Sequence, residues 1–228
     1  MSTTKDTIAA RMEKFQWYQS IDLGNGIVTP GETGDAEQRK IAMLNLPDDL
    51  SGKSVLDIGS NEGFYSFEAE KRGADKIIAI DKSTAAQEKL LFLKEVFNSR
   101  IELQTTDLYD LDPKKTGRFD IVFFLAVFHH VDYSFLALDI VRKLCCGTAY
   151  MEYVEAVPES GEDVSALVRK MSKKGHLHML PTRTFLLEIL ERAGFSDIEI
   201  LGTHREMRLK PKRKAPGFSE RRVVLKAS

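Results

Sequence analysis

The stretch "SVLDIGSNEGFYSFEAEKRGADKIIAID", residues 54–81, constrains the fold more than any other part of the chain. It opens on a short apolar run ending at Gly59, the composition of a strand covered on both faces. A helical pattern follows with Gly73 placed to stop it, and a second apolar run, "KIIAID", closes the unit. Two buried strands joined through a helix need a crossover connection, so they lie parallel in one sheet. The alternation continues. "STAAQEKLLFLKEVFNS" sets Ala86, Leu90, Leu93 and Phe97 on one helical face, with Ser83 as its N-cap. "IELQTTD", "RFDIVFFLAV" and "TAYMEYV" read as three more strands, and "YSFLALDIVRKLCC" as the helix between the last two.

The carboxyl-terminal part breaks the rhythm twice. The interval 156–182 is expected to be a lid-like insertion carrying an extra helix, "EDVSALVRKMSKK". "FSDIEILGTH" and "RRVVLKA" are strands with no helix between them, which predicts an antiparallel pair closing the sheet. The expected fold is therefore α/β: a seven-stranded, mostly parallel sheet with an antiparallel last strand and helices on both faces. Residues 1–48, with a short helix in "DAEQRKIAMLNLP", are expected to form an amino-terminal cap segment, and residues 49–228 the domain proper.

Composition narrows the partners. A formal net charge of -1 gives no global pull towards nucleic acid or an anionic membrane, so any such pull is local. No apolar stretch approaches the roughly 20 residues of a membrane helix, and the amino terminus lacks the apolar core of a signal peptide. Cys145 and Cys146 are adjacent, so no disulfide framework forms within one chain, and a reduced, cytoplasmic protein is expected.

Open parallel sheets bind ligands at the carboxyl ends of their strands. There Gly59 and Gly63 permit a tight turn and close backbone approach, and the next helix presents free N–H groups. Asp57 precedes the turn, and the spacing differs from the Gly-x-Gly-x-x-Gly of dinucleotide folds, which argues against a dehydrogenase. Asp81 ends the second strand, where a carboxylate accepts hydrogen bonds from both hydroxyls of a ribose. Asp107 ends the third, suited to an adenine amino group.

These residues resemble those of the class I S-adenosylmethionine-dependent methyltransferases, a Rossmann-like family, from about residue 50 onward. The resemblance implies that Asp57 orders the glycine loop and the methionine amino group, that Asp81 holds the ribose and that Asp107 lies beside adenine. Ser60, Lys82, Leu108 and Leu125 join Gly59 and Gly63 in the implied donor set. The antiparallel final pair matches the seventh strand typical of that fold. A methyl sulfonium carries its own activation, so the implied cofactor is S-adenosyl-L-methionine, with no metal.

His129 and His130 end the fourth strand, which in this family faces the transferring methyl. Either is a candidate base for a hydroxyl or amine acceptor, because an unperturbed pKa of about 6.5 suits neutral pH. The alternative is a structural pair that caps backbone groups. "HLH" (His176 and His178) invites a metal reading, but no carboxylate or cysteine stands at convincing ligand spacing. A narrower resemblance joins "WYQSIDLGNGIVTPG", "DIGSNEGFYSFEAEKRGA", "AVFHHVD" and "LPTRTFLLEILERAGFSDIEI". It is to the tRNA wobble 5-hydroxyuridine methyl- and carboxymethyltransferases and their shorter homologues. Full-length members carry a further amino-terminal region and a Tyr-His pair where this chain has His129-His130, so methyl transfer is expected here. The acceptor is then 5-hydroxyuridine in tRNA or, alternatively, a small-molecule hydroxyl or amine. A non-catalytic donor-binding module is the remaining alternative. "KPKRKAPGFSERR" (210–222) is either a phosphate-binding run or a solvated loop. Trp17 and Tyr18 either staple the leader or wall the donor site.

Overall fold

The computed structural model describes residues 5–171, 177–204 and 217–228. The chain divides into two compact units, Met1–Asp107 and Leu108–Ser228.

The first unit begins with α1 (Lys5–Met12), a small hairpin of β1 (Asp22–Gly24) and β2 (Ile27–Val28), and α2 (Ala36–Leu44). Asn25 and Gly26, both at positive φ (53° and 73°), form the two-residue hairpin turn. Gly31 is fixed by crowding: a Cβ there would lie 2.2 Å from the Gln19 carbonyl carbon. Thr29 fastens the same loop, its hydroxyl donating to the Gln19 carbonyl at 2.7 Å and accepting the Ile21 N–H at 2.8 Å. The regular part follows as β3 (Ser54–Ile58), α3 (Phe64–Lys71), β4 (Lys76–Asp81), α4 (Thr84–Phe97) and β5 (Glu102–Thr105). The three strands pair in parallel, β3 with β4 and β4 with β5. Ser83 caps α4 as expected, accepting the Ala86 N–H at 3.3 Å.

The second unit contains α5 (Pro113–Thr116), β6 (Phe119–Leu125), α6 (Ser134–Leu144) and the long β7 (Cys145–Pro158). It continues with β8 (Leu167–Met171), β9 (Leu177–Pro181), α7 (Arg183–Arg192), β10 (Glu199–His204) and β11 (Phe218–Ala227). The main sheet has seven strands in the order β10-β11-β7-β6-β3-β4-β5. It is mostly parallel, and β11 runs antiparallel to both neighbours.

One expectation is corrected. The helix expected in "EDVSALVRKMSKK" is not there: β8 pairs antiparallel with β9, from Leu167↔Pro181 to Met171↔Leu177. The spacing of Val164, Leu167, Val168 and Met171 mimics a helical face, but tertiary packing decides otherwise. Val168 and Phe218 pack on Val154, Ala156 and Leu180, and Lys170 reaches Glu220 at 2.7 Å. The final antiparallel pair closes one side of the sheet, as expected. Strand β11 lies inside, between β10 and β7, and β10 forms the edge. Among the described residues no helix is long and apolar enough to cross a membrane.

Candidate functional site

In the first unit the loop from β3 to α3 concentrates the unusual geometry. Gly59, Asn61 and Gly63 all have positive φ (73°, 51° and 86°). A Cβ on Gly63 would lie 2.8 Å from Leu90 Cδ1, so the position also excludes larger residues by space. Between them Ser60 is 2 % exposed, and its hydroxyl has no hydrogen-bond partner among the described residues. A buried hydroxyl left unpaired in a strained turn is what a loop built around a polar ligand leaves behind.

Acidic residues stand at or just beyond the ends of β3, β4 and β5. Asp57 is buried and accepts the Ser66 hydroxyl at 2.7 Å. Burial pushes its carboxyl up to about 7; the Ser66 bond opposes the shift and the Asp81 charge adds to it. Asp81 accepts the Asn61 N–H at 3.0 Å on one oxygen and the Ser83 N–H at 2.8 Å on the other. Asp107 pairs with the exposed Lys82 at 3.5 Å. Gln87, on the first turns of α4, is buried with neither amide atom partnered among the described residues, and nothing in its helical surroundings marks it in the sequence. Trp17 is 5 % exposed: its ring packs on Phe15 and Phe92 and its N–H donates to the Met12 carbonyl at 2.9 Å. Tyr18 is exposed.

The raised Asp57 carboxyl has a pH consequence. The folded protein holds this proton where the unfolded chain has lost it, so the stabilisation is complete below about pH 4 and disappears as pH rises through about 7. Denaturant melts from pH 4.5 to 8 are expected to show wild type losing stability relative to Asp57→Asn across that window. Parallel curves for the two proteins would contradict it.

In the second unit β6 ends at the buried Leu125 and turns at Ala126, which holds a positive φ of 61° without being glycine. That conformation costs an alanine about 1 kcal/mol. The short turn Phe128–His130 follows. His129 is buried, with Nδ1 lacking a hydrogen-bond partner among the described residues, whereas His130 is exposed. The two rings lie 4.1 Å apart, and His178 of β9 joins them at 5.6 and 4.8 Å, edge on to both. Burial, then the charges of His130, Arg222 and His178, hold His129 well below the ordinary histidine range, with Glu152 opposing. At neutral pH it is therefore an unprotonated imidazole. Beside the histidines, Arg222 pairs with the fully buried Glu152 at 3.0 Å. The sequence marks His178 only through its spacing from His176, and nothing in it joins Glu152 to Arg222. Among the described residues no group of three or more His, Cys, Asp or Glu is arranged to hold a metal ion. His176 lies outside the described residues. Leu108, buried, opens the turn before α5.

Of the basic run, residues 210–216 lie outside the described residues. Arg221 and Arg222 belong to β11 and are committed to Glu155 and Glu152, so they are not loop cations for phosphate.

A family model described as a methyltransferase domain matches residues 35–200. The chain belongs to that methyltransferase family. The tRNA U34 carboxymethyltransferase of Campylobacter hominis is 30 % identical to this methyltransferase over 172 residues, 73 % of this chain and 60 % of that protein. The chain thus spans about 60 % of the length of the curated relatives it matches. Among solved structures, the amino-terminal domain of EvdMO1 with SAH bound superposes with a TM-score of 0.74 at 17 % identity, covering 98 % of this chain and 96 % of that one. The 1,6-didemethyltoxoflavin-N1-methyltransferase of Burkholderia thailandensis superposes with a TM-score of 0.58 at 20 % identity, covering 86 % and 76 %. These two likenesses establish the fold of the methyltransferase.

Proposed function

We propose that the chain uses S-adenosyl-L-methionine to methylate an oxygen or nitrogen acceptor, foremost 5-hydroxyuridine at the wobble position of tRNA, in the cytoplasm. The observation that carries the donor half is the unpaired, buried Ser60 hydroxyl in the turn between Gly59 and Gly63. When bound, the donor supplies a methyl group already activated on a positively charged sulfur. The protein has only to hold it, orient the acceptor and exclude water. In this reading Asp57 stands behind the donor's amino group, Asp81 and Lys82 serve the ribose, and Asp107 and Leu108 serve adenine. Leu125 adds apolar surface, and residues 1–48, with Trp17 and Tyr18, act as the cap. His129, unprotonated at neutral pH, accepts the acceptor's proton, with His130 beside it. The β8–β9 hairpin, within the 156–182 insertion, acts as the lid that selects the acceptor.

The tRNA acceptor is supported by the similarity to the U34 carboxymethyltransferase. Plain methyl transfer, rather than carboxymethyl, is supported by His129-His130 standing where that family has Tyr-His. A small-molecule acceptor is the second reading, favoured by the burial of His129 and by the likeness to an enzyme acting on didemethyltoxoflavin. Incubation with methyl-labelled donor, a tRNA fraction and a small-molecule extract separates them. Label is expected in tRNA, and to fall in His129→Ala with donor affinity kept. Label confined to small molecules would move the acceptor, and donor binding without transfer to either would leave a non-catalytic module.

A further inference from the structure

One buried ion pair of the first unit has no place in the roles given so far. Glu62 sits in the turn between β3 and α3 and is fully buried. Its carboxylate accepts two consecutive backbone N–H bonds from the cap segment, Tyr18 on one oxygen and Gln19 on the other, each at 3.0 Å. Lys89 of α4 pairs with the same carboxylate and donates to the Gln16 carbonyl at 3.0 Å. Gln19 returns the connection, its side-chain oxygen accepting the N–H of Phe64, the first residue of α3, at 3.2 Å. Residues 16–19 are thus bound through polar groups to the segment that carries Ser60 and Gly63.

Fastening alone does not require a buried charge. Trp17 already anchors the segment by packing on Phe15 and Phe92. A buried carboxylate is costly unless several donors meet it in good geometry, and here all its donors come from the cap or from α4. The direction of that carboxylate is set by the turn itself, because Asn61 and Gly63 on either side hold positive φ. A change in the turn carries the carboxylate away from Tyr18 and Gln19. Release of the cap takes two backbone N–H donors from the carboxylate and leaves it to Lys89.

Resting on the donor reading above, we infer that Glu62 is a positioning residue that couples the seating of residues 16–19 to the shape of the donor loop. Coupling of this kind is reciprocal: donor binding tightens the cap, and loss of the cap contact weakens donor binding by the same factor.

The test uses the full chain and S-adenosylhomocysteine as probe, well below each variant's melting temperature. Affinity is measured by calorimetry, and tryptic cleavage at the exposed Lys14 is followed with and without the probe. In wild type the probe is expected to slow this cleavage. Glu62→Gln, which keeps the shape but meets one backbone N–H with an amide N–H, is expected to weaken the probe by about tenfold, the scale of one charge-assisted hydrogen bond. Its cleavage is expected to be fast and insensitive to the probe. Lys89→Arg should stay near wild type. Faster cleavage in Glu62→Gln with unchanged affinity would overturn the inference and leave Glu62 a fastener. If that variant does not fold, Lys89→Met carries the same comparison, and unchanged affinity with a loosened cap again overturns it. Failure of wild type to bind the probe would instead remove the donor reading on which the inference rests.

Discussion

Alanine at Asp81 is expected to weaken S-adenosylhomocysteine binding by about two orders of magnitude, the loss of two charge-assisted hydrogen bonds at the lower end of their range. A carboxylate offers about four acceptor positions. Two of those on Asp81 are used by the Asn61 and Ser83 N–H groups, which leaves room for two ribose hydroxyls. In the donor reading proposed above the same residue shapes the loop and meets the ligand, so alanine would remove both functions. Asp81→Asn keeps the shape but replaces an acceptor with a donor, so an intermediate loss of about tenfold is expected. Calorimetric titration of the three proteins checks this. Wild-type affinity in Asp81→Ala would sink the donor assignment.

The largest stability effect is expected in the second unit. Glu152 has no exposed surface, and Arg222, 7 % exposed, pairs with it at 3.0 Å. Arg222→Met leaves that carboxylate buried without its cation, and breaking a buried pair from one side costs about 3–5 kcal/mol. The double variant Glu152→Leu/Arg222→Met removes both charges and is expected to recover most of the loss, because paired burial contributes little net stability. Denaturant midpoints of the two single variants and the double measure the coupling. Additive losses would show that the pair does not act as one unit. Arg222 also helps to hold His129 unprotonated, so Arg222→Met is expected to raise the titration midpoint of His129.

Features that repeat or follow strand ends were legible in the sequence. The strand–helix alternation from Ser54 to Pro158 and the cap at Ser83 are local, periodic signals, and the structure places them where the pattern put them. The positions of Asp57, Asp81 and Asp107 at or just beyond the ends of successive strands were visible because the strand–helix alternation marks those ends. Glu62 was not, since a carboxylate in a turn reads as a solvated loop residue until its backbone partners 43 and 44 positions away are known. The Glu152–Arg222 pair joins residues 70 apart and leaves no periodic trace. For β8 the period was present but ambiguous, and the partner strand decided it. Trp17 illustrates the limit of composition: a lone aromatic ahead of the sheet fits a wall or a staple, and its ring contacts are with Phe15 and Phe92.

The interior place of β11 sets a schedule for biosynthesis. A nascent chain leaves the ribosome amino end first, at about 5–20 residues per second. Among the described residues β10 pairs only with β11, which is complete once Phe218–Ala227 has emerged. Until then β7 shows an open edge to its surroundings, and the Glu152 carboxylate waits for an arginine made 70 residues later. Ribosome pausing or premature release just before residue 218 would therefore present chaperones with an unfinished sheet edge along β7.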